Sequence, residues 1–73
     1  MPGTTARAQQ YAADVSAAMF KLRGWNPATV PADVRDDVFA TLARHSERYS
    51  RCFATGMDPQ VAATMIQNAE WDR

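Results

Sequence analysis

The sequence predicts an all-α fold, a small three-helix bundle arranged around one long central helix. Three observations carry this. In VRDDVFATLARHSERYSRCF, Val34, Val38, Leu42, His45, Tyr49 and Cys52 recur at steps of three and four residues, as a core-facing helix requires. The same period appears in the stretches before and after it. Between the three lie GWNPATVP and TGMDP, whose glycines and prolines stop one helix and start the next.

The chain has 73 residues and a formal net charge of zero. This length fits one domain, residues 1–73, with residues 1–4 expected to be loose. A domain of this size buries only about 60% of the surface that its unfolded chain exposes. Disulfides, metals or partner subunits commonly compensate. Cys52 is the only cysteine, so an intrachain disulfide is excluded. No apolar run approaches the roughly 20 residues that a membrane span needs. MPGTTARAQQ lacks the apolar core of a secretory signal, and with the lone thiol this points to a cytoplasmic setting. Zero net charge disfavours a protein built mainly to hold nucleic acid.

Helix 1 is expected over about residues 5–23, with Thr4 or Thr5 as its cap. Ala8, Tyr11, Val15, Ala18 and Leu22 form its apolar stripe. Gly24 suits the left-handed position that ends a helix. Lys21 and Arg23 suit its negative end. Ala6, Ala13, Ala17 and Phe20 lie opposite the stripe. That second face either lets another helix approach closely, or reflects alanine's helix propensity with Phe20 covering a loop; both readings stay open. In the following loop, Trp25 is expected to fold under as a plug.

Helix 2 is expected over about residues 32–53, roughly 33 Å long. Asp33, Asp36 and Asp37 sit at its start and Arg44, Arg48 and Arg51 near its end, the order that complements the helix dipole. Helix 3 is expected over about residues 59–71. Asp58 is its N-cap and Pro59 its first residue. Ala62, Met65, Ile66 and Ala69 form its expected buried stripe, with Gln60, Thr64, Gln67 and Trp71 opposite.

No residue set supports catalysis, a cofactor or a metal. His45 has no nucleophile near it, since Cys52 is two turns away, about 10.5 Å along the axis. It reads as a histidine that hydrogen-bonds across the bundle. Cys52 on the apolar face reads as an inert, buried thiol. The aspartates lack the further oxygen ligands that calcium requires. The expectation is therefore a non-enzymatic module that binds another protein and pairs with itself as a homodimer. Its candidate contacts are Phe20, Phe39, Trp71 and the arginine stripe Arg44, Arg48 and Arg51.

The segment RCFATGMDPQVAATMI supports an alternative. Cys52, Gly56, Met57 and Asp58 occupy the small, glycine, apolar and capping places of a helix-turn-helix DNA-binding motif, which this segment resembles. Ala62 and Met65 fit the inward places that follow. The resemblance implies a small DNA-binding regulator using residues 52–67, with Gln60, Thr64 and Gln67 on the outward face of a recognition helix. Two features depart from that pattern. The expected preceding helix is far longer than the motif's, and the second helix has no lysine or arginine before Arg73, although phosphate contacts supply much of DNA affinity. An ordinary αα-hairpin accounts for the same turn.

Overall fold

The computed structural model describes the backbone of residues 2–72 and the side chains of residues 6–72. The described residues form four helices: α1 (Pro2–Leu22), α2 (Ala32–Arg44), α3 (Ser46–Ala54) and α4 (Pro59–Trp71). No strand occurs among the described residues. The molecule measures 33 × 27 × 18 Å. Its shortest dimension matches two helix diameters of about 10 Å. α1 packs most extensively against α4, then against α2.

The expected long central helix is two helices. The break is at His45, with φ −111° and ψ 32°. The backbone ladder still reaches it from both sides: its N–H donates to the Thr41 carbonyl at 3.1 Å, and its carbonyl accepts from the Tyr49 N–H at 3.0 Å. Proline and glycine, the usual local causes of a bend, are absent here. The Glu70 carboxylate on α4 supplies a tertiary cause. It binds both Arg44 Nη2, at 2.5 Å, and His45 Nε2, at 2.8 Å. Adjacent residues of a straight helix point about 100° apart, so opening the helix between them brings both side chains to one acceptor. The break also removes the overhang expected of helix 2 beyond the last helix, because α2 and α4 have 13 residues each.

The helix ends follow local chemistry. Gly24 and Gly56 are the two glycines with positive φ, 84° and 69°. After each, a Schellman pair of hydrogen bonds closes the helix. Trp25 N–H donates to the Phe20 carbonyl at 2.9 Å and Gly24 N–H to Lys21 at 3.0 Å; Met57 N–H donates to Cys52 at 3.0 Å and Gly56 N–H to Phe53 at 3.1 Å. Asp58 caps α4 by accepting the Gln60 N–H at 2.9 Å, with Pro59 in the first turn. α1 begins earlier than expected. Residues 2–4 are helical rather than loose, and proline suits a first turn. The expected caps, the Thr4 and Thr5 side chains, lie outside the described residues, as does Met1.

Val15, Met19, Phe20, Val38, Cys52, Ala62, Ala63 and Ile66 form the core. An aromatic cluster extends it: Tyr11 on α1 lies 5.7 Å from Tyr49 and 5.3 Å from Phe53, both on α3, with tilted rings. The Tyr11 hydroxyl donates to the Met57 carbonyl at 2.8 Å. Burial raises the Tyr11 pKa, helped by the nearby ionisable groups of Cys52, Tyr49 and Asp58, and burial alone raises that of Tyr49.

Three expectations about the core are corrected. Leu22 and Trp25 are exposed, not buried. Phe20, expected on an outer seam, is a core residue at 6% exposure. In the Schellman turn Trp25 contributes its backbone N–H while its ring faces outward. α1 is rotated so that Met19 and Phe20 face the bundle between α4 and α2. Leu22 is thereby carried to the rim.

Candidate functional site: the outer face of α4

α4 is turned from its expected orientation. Ala62, Ala63, Ile66 and Gln67 are buried, and Met65 is 43% exposed. Two features account for the turn. Ala62 and Ala63 are small enough for α1 to lie close against them. Gln67, at 1% exposure, finds a polar partner inside: Arg23 Nε donates to its Oε1 at 3.0 Å. The same guanidinium donates to Thr41 Oγ1 at 3.2 Å and pairs with Asp37. Thr41 is itself buried, and its hydroxyl donates to the Asp37 carbonyl at 2.9 Å. Among the described residues no buried side-chain nitrogen or oxygen lacks a hydrogen bond.

The turn leaves Val61 50% exposed and Met65 43% exposed, and Trp71, on the expected outer side, is 61% exposed. Gln60, Thr64 and Asn68 complete the outer face. From Pro59 to Ala69 there is no charged residue. The face continues onto α1 through an open groove of about 260 Å³ in which Ala18, Lys21 and Leu22 meet Gln60 and Thr64. On its other side Met65 borders a groove shared with Arg48, Arg51 and Met57.

The residues singled out from sequence fall into different places. Gln67 is inward and cannot read a ligand on the outer face, which corrects its assignment to a recognition surface. Gln60 and Thr64 are outward, though the Thr64 hydroxyl is occupied by the Gln60 carbonyl at 2.9 Å. Phe20 is buried, as described above. Phe39 is 49% exposed on α2, away from α4. The arginine stripe is divided by the break. Arg44 binds Glu70 and Thr41, and the bond to Glu70 raises its pKa. Arg51 pairs with Glu47 at 3.3 Å on the surface. Arg48 is exposed.

No family model matches the chain, and no curated protein or solved structure matches it either.

Sequence reasoning missed Val61, Met65 and Leu22 as surface residues. The available signal was the run from Pro59 to Ala69. A run this long without charge leaves some apolar or neutral surface in water, whichever face the helix buries. For the metal question, no group of three His, Cys, Asp or Glu side chains converges among the described residues. No described helix is long and apolar enough to cross a membrane.

Proposed function

We propose that the protein is a non-enzymatic helical interaction module that binds another protein through the outer face of α4 and also pairs with itself. The observation that carries this is the exposure of Val61 and Met65 on a helix that has no charge from Pro59 to Ala69, with Trp71 exposed just beyond, between Glu70 and Asp72. Depletion of charge with enrichment in Trp and Met is the composition of an interface core. A tryptophan at the end of such a face is a typical hot spot, with truncation costing about 2 kcal/mol or more of binding energy. The reading places the module in the cytoplasm, where a lone thiol stays reduced.

A photo-crosslinking amino acid at position 65, compared with one at the exposed position of Asp33, tests it in the source cells. Discrete adducts at 65 that disappear on Trp71→Asp are expected. Equal labelling from both positions, or none at 65, overturns it.

A DNA-binding regulator is the second reading, and two observations favour it. The break at His45 shortens the helix before the turn to nine residues, removing the length mismatch with a helix-turn-helix. Arg48 and Arg51 also lie beside the outer face of α4. The inward position of Gln67 weighs against it. Binding to mixed duplex DNA at two salt concentrations separates the readings: salt-sensitive affinity supports DNA, and no binding supports the protein partner.

A further inference from the structure

A second surface lies away from α4. α1 and α2 enclose an open groove of about 390 Å³, lined by Ala13, Ser16, Ala17, Phe20, Pro27 and Phe39 among others. No lining residue is charged. Phe20 forms its floor, buried at 6% exposure, and Phe39 stands on its rim with 49% of its surface in water.

We propose that two copies of the chain pair across this groove, each Phe39 ring entering the groove of the other copy. The proposal rests on the self-association part of the reading above and assigns it a surface distinct from α4. Knob and hole lie on one patch of one chain. A two-fold interface requires that arrangement, since each residue must meet its counterpart's partner. An unrelated occupant would have to bring its own apolar knob, whereas a second copy carries one already.

Charge points the same way. The residues one turn before Phe39 on the same helix surface are Arg35 and Asp36. They lie 3.9 Å apart and are both exposed. A patch edged by one positive and one negative group is complementary to its own two-fold image, so two copies meet without net repulsion. A strongly acidic or basic partner finds nothing to match. A standard interface takes about 800 Å² from each partner, so the pairing extends beyond the groove; exposed, uncharged Ala6 and Gln9 on α1 and Ala32 and Ala43 on α2 follow the groove residues at helical spacing.

Sedimentation velocity on the full chain, from low micromolar to near-millimolar concentration, tests this together with three variants. The unmodified protein is expected to approach twice the 8.1 kDa chain mass. Phe39→Asp should raise the dimer dissociation constant by more than about 100-fold, because both copies lose the ring at once. Phe39 is half in water, so helical circular dichroism should persist. Ala13→Gln fills the groove from the other helix at an exposed position and should separate the copies too. Trp71→Asp should leave the dimer intact.

A single-chain mass at all concentrations overturns both the groove proposal and self-association. A dimer that survives Phe39→Asp and Ala13→Gln overturns the groove alone. Dissociation by Trp71→Asp instead moves the seam to α4 and leaves self-association standing.

Discussion

Removing the Arg23 guanidinium is the sharpest test of what orients α4. Arg23→Met keeps an unbranched apolar stem but takes a donor from Gln67 Oε1, another from Thr41 Oγ1, and the ion pair from Asp37. Gln67 is 1% exposed, so water does not take the place of the lost donor. A buried polar atom left unpaired costs about 1–3 kcal/mol. Thr41 suffers less, because its hydroxyl still donates to the Asp37 carbonyl and accepts from Arg44 Nη2 at 3.2 Å. The Asp37 side chain is 58% exposed, so its ion pair is screened and adds only about 0–1 kcal/mol. Together the loss is about 2–3 kcal/mol, or about 10–20 °C in Tm for a domain of this size.

Thermal and urea unfolding of four proteins provides the assay: unmodified, Arg23→Met, Gln67→Met and the double variant. Replacing both partners by apolar side chains leaves no orphaned acceptor. The double variant should therefore be more stable than the sum of the single losses by about 1–2 kcal/mol. A loss below about 0.5 kcal/mol in Arg23→Met, or strict additivity in the cycle, would refute the view that this guanidinium holds Gln67 inward.

Two further outcomes follow from the helix ends and the aromatic cluster. Asp58→Ala should cost about 1 kcal/mol by removing the cap on Gln60 N–H, and an unchanged melt would show that the cap does not hold α4. Tyr11 and Tyr49 have pKa values raised by burial. Above about pH 10 the unfolded chain therefore binds fewer protons than the folded one, and stability falls as pH rises through the folded values. Tyr49→Phe should keep neutral-pH stability while reducing the alkaline loss; denaturant midpoints from neutral to alkaline pH check this, and an unchanged alkaline slope would contradict it.

Features set by neighbouring residues were legible in the sequence. Gly24, Gly56, Asp58 and Pro59 act through bonds spanning at most five residues, so their roles follow from residue type and order. The break at His45 was not legible, because its cause is Glu70 on another helix. The orientation of α4 was hidden for the same reason. Periodicity ranks Met65 as core and Gln67 as surface, and the close approach of α1 to Ala62 and Ala63 together with the arrival of Arg23 from the turn after α1 reverses them. Likewise Phe20 and Leu22 both sit on apolar sides of α1, and the docking of α4 and α2 decides which is covered. Of the candidate site, Trp71 could be named in advance, as a large side chain opposite the expected buried stripe. Val61 and Met65 became surface residues only once α4 had turned.

The bend at residue 45 reaches further than the contact that makes it. α1 has 21 residues and α4 has 13, so α1 outruns its main partner by about 12 Å. The angled α3 supplies the missing support, bringing Tyr49 and Phe53 under Tyr11. Tyr11 also donates to the Met57 carbonyl in the turn after α3, so the first helix rests on α3 and on the turn that follows it, while Glu70 ties the bend itself to α4.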